Sequence, residues 1–199
     1  MNNYRFYINK YSFTFDESVD TSFIPMMMRR KLNAFGKISL ANLYNCYSEN
    51  TDCELVFGSS YGDVERIKKL LLQKDEEGEI SPLGFSFSVH NATIGLFSLL
   101  NKIKSSYNSI SAGTDTLPFS LLETIMLSKE KPVLFCFTET EPSINSVALS
   151  ITNKNEGFLV EIKMKEKTQN TSDNFSSFID FLEGKTNIYN SKLYELIRV

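Results

Sequence analysis

The chain has 199 residues, enough for one domain that buries about 70% of its extended surface without disulfide or metal staples. Its 24 acidic and 21 basic side chains leave a net charge of -3, which excludes a general attraction to nucleic acid, so any basic site must be local. The three cysteines, Cys46, Cys53 and Cys136, lack C-x-x-C spacing and sit in apolar or strand-like segments, so reduced, buried thiols and a cytoplasmic setting are expected.

The first residues carry no apolar signal region, and no oily run approaches the ~20 residues that cross a bilayer; neither export nor membrane insertion is expected. Residues 4–15 are aromatic-rich and alternate, which predicts a strand. From Ser39 the period changes, and Leu40, Leu43, Tyr44 and Tyr47 share one helix face. Residues 54–58 read as a short, wholly buried strand ending in a Gly-Ser-Ser turn. Asp63 can cap a following helix whose core face is Val64, Ile67, Leu70 and Leu71. The charged run 74–79 reads as a solvated turn rather than an acid/base pair.

Residues 84–89 form a Phe-rich loop after Ser81-Pro82. The helix predicted over 91–104 is apolar nearly all round, which implies burial on every side. A short strand over 108–112 turns through residues 113–116 into a helix with Pro118 in its first turn. Strands are predicted over 132–138, 146–152 and 158–164. A last helix, capped by Ser172 or Asp173, lines up Phe175, Phe178, Ile179 and Leu182 and stops at Gly184. Strands alternating with helices imply an α/β fold with a mixed sheet covered on both faces.

The chemistry on offer is sparse. One histidine and unclustered cysteines offer no converging ligand set for zinc, and no Gly-rich phosphate loop follows a strand, so neither metal nor cofactor is expected. His90 reads as a hydrogen-bonded helix-start or core residue, as pocket lining, or as a catalytic base. Arg29, Arg30 and Lys31, after three methionines, are either a solvated helix start or a docking patch for an acidic protein.

Taken together, the stretch from Glu54 to Asp63, Ser81-Pro82, the run Ser88-Val89-His90-Asn91-Ala92 with Gly95, Ser111-Ala112-Gly113, the 131–135 strand and the 178–184 segment resemble the N-terminal ketoacyl synthase-like family, the small chain-length-factor-like proteins of aryl polyene type pathways. The resemblance implies that residues 1–199 are one ketoacyl synthase N-terminal-like domain, a thiolase-like half (βαβαβαββ) with a mixed five-stranded sheet. In such enzymes the nucleophile is a cysteine after the third strand, assisted by two histidines of a second half. Here that position falls on Thr114 or, with a one-residue shift, on Gly113, and neither replaces a thiolate held at a helix N-terminus.

The resemblance therefore implies a non-catalytic subunit that forms a heterodimer with an active ketosynthase and works on acyl chains delivered by an acyl carrier protein. It puts Asn108, Ser109 and Ile110 on a strand shared with the partner, Phe85, Phe87, Val89, His90, Asn91, Ile94 and Gly95 at the acyl tunnel or interface, and carrier-protein docking at Arg29, Arg30 and Lys31. Alternation alone leaves Phe85 and Phe87 open as ordinary core. Two rival readings are an acyl-thioester transferase or hydrolase using Ser111 or Thr114 with His90, and a homodimeric binding module.

Overall fold

A computed structural model describes residues 4–49, 51–166 and 175–199. In chain order the elements are β1 (Tyr4–Thr14), α1 (Met26–Arg29), α2 (Ala34–Cys46), β2 (Glu54–Gly58), α3 (Val64–Glu77), α4 (Pro82–Ser88), α5 (Ala92–Leu100) and β3 (Tyr107–Ile110). A 3-10 turn (Gly113–Asp115) then leads into α6 (Thr116–Leu127), β4 (Val133–Glu139), β5 (Asn145–Thr152), β6 (Phe158–Met164), α7 (Phe175–Leu182), β7 (Ile188–Asn190) and β8 (Tyr194–Arg198). The caps proposed at Ser172 and Asp173 lie outside the described residues.

Among the described residues the strands join one mixed sheet in the order β3-β2-β4-β5-β1-β6-β8-β7. Strand β2 runs parallel to β3 and β4, while β5 is antiparallel to both β4 and β1. These five strands are the expected mixed unit. The sheet nonetheless has eight strands, because β6, β8 and β7 continue it beyond β1 as an antiparallel extension. Strands β7 and β8 have three and five residues, too short for their alternation to rise above the surrounding polar sequence.

Alternation divides the sheet into two faces. Val56, Val133, Phe135 and Phe137 point to one side, where α6 and α7 add Leu117, Leu121, Ile125, Phe178 and Phe181. Leu55, Phe57, Leu134 and Cys136 point to the other, where α2 and α5 add Phe35, Leu40, Leu43, Ile94 and Phe97. Each such side chain stabilises the fold by roughly 1.5–3 kcal/mol when fully buried. On the α2 side a buried polar chain also fixes the helix register. Ser39 Oγ lies 2.9 Å from Thr138 Oγ1, and Asn42 Nδ2 donates to Ser146 Oγ at 2.9 Å.

Five expectations about the helices are corrected. Helix α3 begins at the Asp63 cap, whose side chain accepts the Arg66 N–H at 3.0 Å, but it buries no residue, so Val64, Ile67, Leu70 and Leu71 are not a core face. The charged run continues this helix to Glu77 rather than forming a turn. Residues 82–88 are helical, not a loop: Ser81 Oγ accepts the Gly84 N–H at 3.1 Å and Pro82 occupies the first helical position, where its missing N–H costs nothing. Helix α5 buries Thr93, Ile94, Leu96 and Phe97 but leaves Leu99 70% exposed, so it is covered on one side only. On α2, Tyr44 is exposed and stacks on Phe23 at 4.0 Å instead of entering the core.

No single helix is long and apolar enough to cross a membrane. Helices α4 and α5 together match a span in length and apolarity but meet at a 94° bend.

Candidate functional site

In a sheet with parallel central strands, the carboxyl ends of those strands form the crevice where ligands and reacting groups sit. Here that edge is built from the turn after β2, the turn after β3 and the end of β4. Gly58 ends β2 because a side chain there would strike Ser120 Oγ at 2.6 Å, so only glycine lets α6 pack this close.

Residue Gly113 opens the turn after β3 with φ +58°, in the left-handed region, and the space a Cβ would occupy is empty. Three contacts lock this turn. Gly113 O accepts the Ser60 hydroxyl at 2.7 Å and the Thr116 hydroxyl at 2.7 Å, and Asp115 is paired with Lys192 Nζ at 2.6 Å. The lysine comes from the turn between β7 and β8, so the strands that sequence reasoning missed hold the start of α6.

His90 stands between α4 and α5 with Nε2 2.7 Å from Ser59 O. A carbonyl only accepts, so this nitrogen carries the proton and cannot serve there as a base. The Ser111 hydroxyl donates to Ser60 O at 3.0 Å rather than to His90. Ser111 and His90 share one open hollow of about 420 Å3, lined also by Asn91, Tyr107, Asn108 and Ser109, but they form no hydrogen-bonded dyad.

The three thiols lie elsewhere, all free and buried. Burial raises Cys53 to about 11 and Cys136 to about 12, and it pushes Cys46 higher still. None is a thiolate at neutral pH. Cys46 and Cys53 line a separate cleft of about 230 Å3 beside the amino ends of β2 and β4, at the far end of the sheet.

The residues assigned to an interface fall into two sets. Strand β3 is the edge strand, paired on one side with β2, and no strand among the described residues pairs with its outer side. Asn108 Nδ2 donates to Glu123 Oε1 at 3.0 Å, Ser109 Oγ is buried without a partner, and Ile110 packs on the core. Phe85, 54% exposed, and Val89 are surface residues, and Asn91 is exposed. Phe87 lies half-buried against the core under the Arg66 guanidinium, 5.5 Å from its ring. Ile94 is fully buried, so it belongs to the core rather than to an outer surface. Gly95 leaves room for the Tyr107 hydroxyl, which a Cβ there would meet at 3.3 Å.

Leu71 and Leu72 of α3 are 62% and 61% exposed, and Ile80, Leu83 and Phe85, on α4 and the turn before it, are exposed as well; α3 and α4 pack against each other. The patch Arg29, Arg30 and Lys31 lies at the end of α1 with Met26 and Met27 exposed alongside, and Lys31 O accepts from Arg66 Nη2 at 3.0 Å. Among the described residues no group of His, Cys, Asp and Glu could hold a metal ion.

Sequence reasoning missed Glu139. It is only 8% exposed at the end of β4, and its carboxylate accepts the Ser60 N–H and, at 3.2 Å, the Ser59 hydroxyl. Burial raises its pKa above the usual carboxylate value, against the lowering effect of those hydrogen bonds. A charged residue closing an otherwise uncharged, buried strand was the available signal.

Comparison with known proteins fits this geometry. No curated protein matches the chain. Its fold is similar to a chain of the ketosynthase (ApeO) in complex with its chain length factor (ApeC) from Xenorhabdus doucetiae, at 19% identity and TM-score 0.74, covering 98% of this chain and 100% of that one. It is also similar to a beta-ketoacyl synthase from Burkholderia phymatum, at 13% identity and TM-score 0.58, covering 85% of this chain and 58% of that one. For the ishigamide ketosynthase/chain length factor the values are 11% and 0.54, covering 68% of this chain and 50% of the other. The last two chains are thus considerably longer than this one. The family model for the beta-ketoacyl synthase N-terminal domain matches residues 9–172, most of the sheet and the turn after β3 included, and the chain belongs to that family.

Proposed function

We propose that the chain is a non-catalytic, chain-length-factor-like subunit that forms a heterodimer with an active beta-ketoacyl-ACP synthase and shapes its acyl tunnel. One conjunction carries the reading: the turn at Gly113 and Thr114 has no cysteine, the outer edge of β3 is unpaired among the described residues, and α3 and α4 carry exposed apolar side chains. Carbon–carbon condensation on an acyl thioester needs a thiolate at this turn, and the chain's thiols are buried away from it. A bare strand edge and exposed large apolar side chains on one chain favour a protein partner, because such surfaces are otherwise a route to aggregation. The similarity to the Xenorhabdus complex of a ketosynthase with its chain length factor supports a ketosynthase as that partner.

In this reading the substrate is a growing polyene acyl chain of aryl polyene type biosynthesis, in the cytoplasm. It is carried by an acidic acyl carrier protein that docks near Arg29, Arg30 and Lys31. Phe85 and Phe87 limit the chain at the tunnel end. Ser111 and Thr114 are not nucleophiles in this reading: the Ser111 hydroxyl donates to Ser60 O and His90 Nε2 to Ser59 O, so the two side chains are not paired with each other.

The test is co-expression with a candidate ketosynthase. A one-to-one complex is expected to form and to make product that neither chain makes alone, and Leu71→Asp should weaken the complex at least about tenfold, or 1.4 kcal/mol. With the partner present, Phe87→Ala should lengthen the product. A homodimer that ignores every ketosynthase, or condensation by the chain alone, overturns the proposal.

A further inference from the structure

Several turns of the candidate site hang from one buried carboxylate. Glu139 ends β4, and its two oxygens serve two different donors: one takes the Ser60 N–H, the other the Ser59 hydroxyl at 3.2 Å. Ser59 Oγ in turn accepts the Gly62 N–H at 2.8 Å, so this hydroxyl both donates and accepts. The backbone of the same two serines then reaches outward. Ser59 O holds His90 Nε2 at 2.7 Å, Ser60 O holds the Ser111 hydroxyl at 3.0 Å, and Ser60 Oγ donates to Gly113 O at 2.7 Å. The path from Glu139 to the outer wall of the hollow is therefore two residues wide.

We propose that Glu139 is a positioning residue of the candidate site, setting the conformation of residues 59–62 and, through them, the orientation of His90 and of the 111–113 turn on the surface offered to the ketosynthase. Only the last link, the partner-facing surface, rests on the proposed function. A carboxylate suits the task because each oxygen accepts without needing a donor of its own, and charge-assisted bonds to N–H and O–H are stronger than neutral ones. Removing it leaves the Ser60 amide and the Ser59 hydroxyl without their acceptor, and a buried donor in that state drives rearrangement.

The experiment uses the isolated full chain in solution, followed by amide hydrogen exchange and by NMR of the His90 ring. Glu139→Ala should accelerate exchange at Ser60 and Gly62 at least about tenfold and shift the His90 ring signals, with exchange in α2 and β5 unchanged. Glu139→Gln keeps an oxygen for the Ser60 amide and should return both signals towards the wild type. Unmoved His90 and Ser60 signals in Glu139→Ala overturn the proposal, as does a glutamine variant that behaves like the alanine one. If the alanine variant does not fold, Glu139→Asp decides: one methylene shorter, it must loosen Ser60 selectively, and equal loosening throughout the sheet overturns the idea. These readouts need no partner, so failure of a ketosynthase to bind the wild-type chain would sink the proposed function and leave this result intact.

Discussion

Helices α2 and α3 are nearly equal in length, 13 and 14 residues, yet nine residues of α2 are buried and none of α3 is. Their sequences suggest the opposite. In α3 the apolar residues gather on one face, as in a helix that packs on a core, whereas α2 spreads small, polar and apolar side chains around its circumference. Helix α2 lies across β1, β4 and β5, and its Ser39 and Asn42 find partners in the sheet, which makes all-round burial tolerable. Helix α3 packs chiefly on α4 and projects Leu71 and Leu72 away from the sheet. Amphipathicity reports that a helix has an apolar face, and the location of its cover is a separate matter. For α3 the cover belongs to a second polypeptide in the proposed complex.

The sharpest way to break this contrast is to truncate one leucine on each helix. Leu40→Ala should cost about 2–5 kcal/mol in a denaturant titration of the isolated chain, because it leaves a cavity among side chains that cannot collapse into it. Leu71→Ala should stay within about 0.5 kcal/mol in the same titration. A large loss at Leu71 would mean that α3 has a cover within this chain and is no interface.

A smaller effect tests the turn after β3. Gly113→Cys should fold with a loss of about 1 kcal/mol, since a side chain has room there but the left-handed backbone disfavours it. The new thiol should react with iodoacetamide faster than the three buried cysteines, as read by mass spectrometry, and still support no condensation by the chain alone. Condensation by this variant would show that the rest of the machinery is present in the chain.

The smallest effect is a pH slope. Burial, the first cause, raises the folded-state pKa of Glu139 above the ordinary 4.5, so the folded form holds its proton more tightly than the unfolded chain does. The associated stabilisation is complete below the ordinary value and is lost as pH rises through the raised one. Melting temperatures of the wild type should therefore fall relative to Glu139→Gln across that window. Parallel curves would mean that the carboxylate ionises as easily in the fold as outside it.

How much of this was legible in the sequence varies from element to element. Strands β1, β2, β4, β5 and β6 could be read from runs of aromatic and β-branched residues, because a buried strand leaves its period in the chain. The Asp63 cap and the stop before Gly184 could be read because caps are local chemistry. That residues 113 and 114 are not cysteine is plain in the sequence, and only the resemblance to a family gives that position a proposed meaning. Helix α4 was misread although Ser81-Pro82 is a sound helix start, since the Phe-Ser alternation after it competed with that signal.

What the chain determined by itself was therefore what is governed by neighbours a few residues apart: element type, caps and the two-faced sheet. Only the tertiary structure decided that the α3 face is bare, that β7 and β8 extend the sheet and clamp Asp115 through Lys192, and that Glu139 meets Ser59 and Ser60 across 80 and 79 positions of sequence. Those facts depend on which surfaces meet after the chain has folded back on itself, and local periodicity carries no information about distances across the fold.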